Sequence, residues 1–128
     1  MATGLIVFQP KILQEIPVQY RDKATVVYQS ATPPLGIHKP RKRFFDVCVI
    51  GHLRSIKDPF QTARASRQLP DTSKIRVLHI GGALAPDFEQ QAIAEQVSNH
   101  RYRWRGELPH WKTIRCLARS RLLVITSK

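Results

Sequence analysis

Residues 51–58, Gly51-His52-Leu53-Arg54-Ser55-Ile56-Lys57-Asp58, join a glycine that allows close backbone approach to two fixed cations. Arg54 offers a planar fork of N–H donors to phosphate oxygens, and Lys57 a compact charge on a flexible stem. Together they suit a diphosphate. The same pair also suits a solvated surface loop, and the local sequence leaves both readings open. A second turn, Gly81-Gly82-Ala83-Leu84-Ala85, permits a tight bend or the close approach of a ligand or a neighbouring backbone. Its glycines are adjacent and no third follows, so it is not the GxGxxG fingerprint, and a nicotinamide or flavin cofactor is disfavoured. Two further turns, Gly106-Glu107-Leu108-Pro109 and Thr126-Ser127-Lys128, complete the set.

These turns matter because of what precedes and follows them. Residues 44–50 (FFDVCVI), 75–80 (IRVLHI), 101–105 (RYRWR) and 122–125 (LLVI) are short runs rich in β-branched, aromatic and aliphatic side chains, each read as a strand. The first and last read as apolar strands covered on both faces. Helices are expected between them. Asp58 can cap the first, with Pro59 at its first position; Pro86 with Asp87 and Glu89 opens the second; Pro109 opens the third. Phe60 and Ala63, then Phe88, Ala92, Ile93 and Val97, then Trp111, Ile114 and Ala118 supply one apolar face per helix. Strands alternating with helices at this interval imply an α/β fold with a parallel sheet. In such a sheet ligands bind outside the carboxyl ends of the strands, where all four turns would then gather.

Residues 1–43 differ, with strand-like runs at Leu5 to Phe8 and Ala24 to Tyr28 around a polar segment. The stretch Ala31 to Pro40, with its prolines and glycine, reads as a linker. The chain of 128 residues can bury a core of its own, and its composition is that of a globular protein rather than a disordered one. Its formal charge of +12 predicts an anionic partner, and a small basic nucleic-acid-binding protein is the alternative reading. The basic cluster His38-Lys39-Pro40-Arg41-Lys42-Arg43 fits such a patch, yet lacks the interleaved aromatics of a stacking platform and reads more simply as a solvated linker. Cys48 and Cys116 sit in apolar stretches with no metal-site or disulfide pattern, so both read as buried thiols. The five histidines show no ligand spacing, and neither a nucleophile elbow nor a P-loop occurs; no metal is expected, and His52 is the one histidine placed to contact a ligand. The first ten residues lack the features of a signal peptide and no apolar run is long enough to span a bilayer, so a cytoplasmic location is expected and no membrane partner.

The turns resemble a known family. Ile50-Gly51-His52-Leu53 followed by Lys57 is similar to the "VGRL...KG" segment that opens the C-terminal domain of family 4 GT-B glycosyltransferases. Residues 77–82 (VLHIGG) resemble that family's second strand and glycine turn, residues 102–107 (YRWRGE) its next strand and loop, and residues 122–127 (LLVITS) its "d.lvlPS" strand. The wording of residues 52–60 and 101–107 is most similar to the selenosugar synthases of selenoneine biosynthesis, and residues 5–31 resemble the segment joining their two domains. The resemblance implies a UDP-sugar donor, with sugar transfer to selenophosphate in the intact enzyme. It places Lys57 on the donor diphosphate and Gly106 and Glu107 near the loop that lines the nucleobase. His52 stands at the family's arginine position with Arg54 two residues on, and either could replace that contact.

The same resemblance implies that residues 1–43 are an interdomain segment and linker and residues 44–128 a partial doubly wound parallel sheet, the first half of a Rossmann-like nucleotide-sugar-binding domain. The family's "EG" segment would follow directly after Ser127, where this sequence reaches Lys128, and the acceptor domain has no counterpart here. A fragment of that kind is expected to keep some affinity for UDP with little or no transferase activity, and to leave apolar sheet surface unpaired.

Overall fold

The computed structural model describes residues 3–32, 36 and 39–127. Half of the expected linker, His38 included, and Lys128 of the fourth turn lie outside the described residues. The chain divides into two compact units, residues 1–33 and 34–128.

In the first unit, strand β1 (Leu5–Val7) pairs in parallel with β2 (Ala24–Val26), Leu5 opposite Ala24. The polar segment between them forms two short helices, α1 (Ile12–Glu15) and α2 (Val18–Arg21), which the sequence reading did not anticipate. Each is a single turn; Arg21 donates to the carbonyls of Gln14 and Ile16, tying one to the other.

The second unit carries strands β3 (Phe45–Ile50), β4 (Ile75–Ile80), β5 (Tyr102–Trp104) and β6 (Leu122–Val124), all parallel, in the order β5-β4-β3-β6. After the 3-10 turn Ser55–Lys57, helices α3 (Gln61–Arg67), α4 (Pro86–Ser98) and α5 (His110–Ala118) make the crossovers. The chain builds outward from β3 through β4 to β5, then returns through α5 to place β6 on the other side of β3. This is the expected α/β class, a partial doubly wound parallel sheet, with the reversal of strand order between β3 and β6.

Alternation along the strands sends Val49, Val77 and Tyr102 to one face, where Leu53, Phe60, Ala63 and Ala92 close a core over them. Leu53 and Tyr102 are fully buried, and removing such a side chain from water stabilises the fold by about 1.5–3 kcal/mol. The opposite face bears Asp46, Cys48, Leu78 and Ile80. Asp46 lies 2% exposed opposite Arg76 in the register, and Arg76 donates to both carboxylate oxygens at 2.8 and 2.9 Å.

Several expectations are corrected. Asp58 does not cap α3: it adopts the left-handed conformation at φ 37° and ends the 3-10 turn, and its carboxylate accepts from Arg64 at 2.8 Å. The helix starts at Gln61 instead, two residues beyond Pro59. On α4 Phe88 and Ala92 face the core, while Ile93 and Val97 point outward, because only one stripe of the helix can meet the sheet. Trp111 of α5 is exposed rather than packed. Strand β6 is not covered on both faces; it is an edge strand among the described residues, with Leu122 and Leu123 substantially exposed. Cys48 is buried as expected, but Cys116 is only partly so.

Candidate functional site

Because β3 to β6 are parallel members of one sheet, the turns that follow them share its carboxyl edge. They are also joined to one another. Gly51 N–H donates to the Ile80 carbonyl at 2.9 Å, Leu53 N–H to Gly82 at 2.9 Å, and Gly81 N–H to Gly106 at 2.8 Å. The isolated bridge between Leu53 and Ala83 carries the parallel pairing past the ends of both strands. The first, second and third turns therefore form one backbone platform.

The fourth joins from the other side of β3. Thr126 Oγ1 donates to the carbonyl of Lys57 at 2.7 Å, and Lys57 Nζ donates to Ser127 Oγ at 3.3 Å. These contacts span the point where strand order reverses, the crevice that open α/β sheets use for ligands. A small cavity of about 30 Å³ lies there, lined by Gly51, His52, Lys57 and Thr126 among others. A wider one of about 270 Å³ opens on the other side of His52, bordered by Gly51, Gly81, Glu107 and His110.

The two glycine turns are not equivalent. A Cβ on Gly81 would overlap the carbonyl of Gly51, so this position tolerates no side chain, whereas a Cβ on Gly51 would meet nothing within 4 Å. Gly82 is free of such overlap, but a Cβ there would lie 3.4 Å from Glu107 Oε2 and 3.6 Å from His52 Nδ1, which puts those two side chains beside each other over the turn. Gly106 has φ 64°, the left-handed region that glycine enters without strain.

His52 Nδ1 accepts from the Gly82 N–H at 3.1 Å. That bond needs an unprotonated Nδ1, which leaves Nε2 as the donor of the ring, and His52 borders both cavities. Arg54 is exposed and lines neither of them. The structure thus brings together Gly51, His52, Lys57, Gly81, Gly82, Gly106 and Glu107, and leaves Arg54 outside the cluster.

Residues that the sequence reading passed over support this platform. His79 is buried; its Nε2 donates to the Gly51 carbonyl at 3.2 Å and its Nδ1 accepts from Tyr102 OH at 3.0 Å. Burial pushes its imidazole down to about 4, against the smaller opposing effect of the bond to Gly51. The Trp104 indole N–H donates to the Gly81 carbonyl at 2.8 Å. The signal was present in the sequence as a histidine inside the apolar run VLHI, since a buried imidazole must find partners for both nitrogens. Among the described residues no group of three or more histidine, cysteine or acidic side chains is arranged to hold a metal ion, and no helix is long and apolar enough to cross a membrane.

No family model matches the sequence, and no curated protein matches it. Solved structures do. The chain is similar to the lipopolysaccharide outer core galactosyltransferase WaaB in its apo form, with TM-score 0.69 and 20% identity over 98% of this chain and 37% of that one. It is similar to HepE of Anabaena, solved in complex with UDP and glucose, with TM-score 0.68 and 18% identity over 98% of this chain and 38% of that one. A third is a point mutant of TarM of S. aureus in complex with Fondaparinux, alpha-GlcNAc-glycerol and UDP, with TM-score 0.60 and 17% identity over 98% of this chain and 25% of that one. The chain spans well under half the length of each. At these identities the likeness is one of fold: the architecture is that of part of a Rossmann-like GT-B domain. It does not favour the nucleic-acid alternative raised by the net charge.

Proposed function

We propose that the carboxyl edge of the sheet binds the diphosphate of a UDP-sugar donor. The observation that carries this reading is the convergence of Lys57, His52 and the glycine turns at the reversal of strand order, in a fold shared with a galactosyltransferase and with two proteins crystallised with UDP. Lys57 supplies the fixed positive charge for the diphosphate. His52 donates from Nε2 to a phosphate oxygen, taking the part that the family gives to an arginine, while Arg54 adds only long-range attraction. The turns at Gly51 and at Gly81-Gly82 allow the phosphates to approach backbone N–H groups closely.

The turn Gly106-Glu107 borders the wider cavity, where backbone groups recognise the base and the Glu107 carboxylate accepts from hydroxyls of the nucleotide or sugar. A carboxylate there repels phosphate, which orients the diphosphate toward Lys57. In this reading residues 44–128 form part of a nucleotide-sugar-binding domain and residues 1–43 an interdomain segment. Transfer requires that the leaving diphosphate be stabilised as charge develops on it, the task for which Lys57 and the His52 N–H are placed. On the wording of residues 52–60 and 101–107, the reading extends to selenophosphate as the acceptor.

Calorimetric titration of the folded chain with UDP tests the reading. We expect saturable binding at one site that is weakened by uridine lacking the phosphates; a folded sample giving only heats of dilution overturns it.

A further inference from the structure

A second basic concavity lies on the other face of the sheet. Period-2 alternation places Arg103 and Arg105 on the face opposite the Tyr102 core, the face that α5 crosses. Between α5 and the sheet opens a cavity of about 440 Å³, into which Arg41, Arg105, Lys112, Arg115 and Arg119 contribute. Its one acidic neighbour, Asp46, is already held by both oxygens to Arg76. An adjoining cavity of about 160 Å³ shares Arg41 and Arg105 and adds Arg76 and Arg103.

Among the described residues none of Arg41, Arg103, Arg105, Lys112, Arg115 and Arg119 makes a salt bridge. Gathering that many unpaired like charges around one hollow is unfavourable unless an anion neutralises them. Helix α5 keeps no buried residue, so burial of α5 itself does not account for the arrangement. Guanidinium groups converging from β5 and the residue after it, from α5 and the residue after it, and from Arg41 before β3 match the separated oxyanions of a chain of phosphates better than a single one.

We propose that this cavity binds a small, multiply phosphorylated ligand, at a site separate from the strand-end turns. The two sites share only residues at their common border, Leu108 and Ile80, and the proposal does not depend on what the strand-end site binds. The volume admits a short polyphosphate chain or a compact polyphosphorylated molecule rather than a folded partner. Arg41 lies in the basic cluster that the sequence suggested as a solvated linker, and the structure gives that residue a specific place beside α5.

Inorganic tripolyphosphate is the probe, titrated calorimetrically into the full chain at physiological ionic strength. Titrated into Lys57→Ala, which disables the strand-end turns, the probe should still fill one site per chain, with a loss of about tenfold or more in affinity when Arg105→Ala and Arg115→Ala are added, whose exposed side chains leave folding intact by circular dichroism. Arg115→Lys alone should keep most of the affinity of this site. The control Lys11→Ala/Lys23→Ala removes the same charge from exposed positions of the first unit and should change affinity by less than about twofold. An equal loss in that control shows general charge attraction and overturns the site. Loss in Lys57→Ala moves the ligand to the strand-end turns, and tighter binding of a single-stranded oligonucleotide through the same arginines replaces the small ligand with nucleic acid; either overturns the proposal.

Discussion

His79 Nε2 lies 3.2 Å from the carbonyl oxygen of Gly51, so a buried imidazole on β4 holds the turn that follows its neighbouring strand β3. Burial lowers this imidazole from an ordinary 6.5 to about 4, and the unfolded chain therefore binds a proton that the folded chain refuses between those values. Stability from this group is complete above pH 6.5 and falls as pH drops toward 4, by about 3 kcal/mol in all. Urea midpoints measured across that interval should decline more steeply in the wild type than in His79→Gln. Equal slopes would remove His79 as the cause.

Gly81 and Gly51 look alike in sequence and should respond differently. Gly81→Ala pushes a methyl group into the Gly51 carbonyl and should destabilise the fold by about 3 kcal/mol or more. Gly51→Ala meets open space and should cost less than about 1 kcal/mol. Thermal melts of the two variants give the comparison, and a smaller loss for Gly81→Ala would show that the turn relaxes around the new side chain.

Among the cations of the first turn, Lys57 is held at the crevice and Arg54 lines neither cavity. Lys57→Ala should weaken UDP binding about tenfold and Arg54→Ala by no more than about twofold. His52→Gln should retain more affinity than His52→Ala, since an amide still supplies an N–H donor. Titration calorimetry on the three positions reads this order, and a dominant effect of Arg54 would transfer the diphosphate to it.

Arg76 and Asp46 form a two-oxygen ion pair with the carboxylate almost entirely out of water. Arg76→Ala strands that carboxylate and should cost about 3–5 kcal/mol at neutral pH. Asp46→Asn with Arg76→Gln should recover part of the loss by exchanging the charges for amides, as chemical denaturation of the single and double variants would register.

The two thiols should separate in reactivity. Cys48 is fully buried and burial pushes its thiol up to about 11, while Cys116 is partly exposed. Brief alkylation of the folded chain followed by mass spectrometry should label Cys116 first and Cys48 only under denaturant.

Much of the second unit was legible because its signals are local. Apolar runs gave the four strands of the sheet within a residue or two, and Pro86 with Asp87 and Glu89 marked the start of α4 correctly. The start of α3 was misread because Asp58-Pro59 fits a helix opening as well as it fits the end of a 3-10 turn; only the left-handed backbone at Asp58 separates the two. Exposure of Trp111, Ile93 and Val97 was equally hidden, since a helix carrying more apolar residues than its sheet can cover gives no sign in its spacing of which ones stay outside. At the strand ends, residue type pointed to Gly51, Lys57 and Gly81-Gly82 as members of neighbouring turns, whereas the hydrogen bonds of His79 to Gly51 and of Trp104 to Gly81 depend on which strands lie side by side.

The hold of Thr126 on the Lys57 carbonyl links positions 69 residues apart. The first turn therefore takes its final shape late: during synthesis it leaves the ribosome well before the threonine that locks it, and stays an open segment of nascent chain in the interval. A ligand bound at this turn, as proposed above, would act only after that long loop has closed, slowing its reopening rather than hastening assembly.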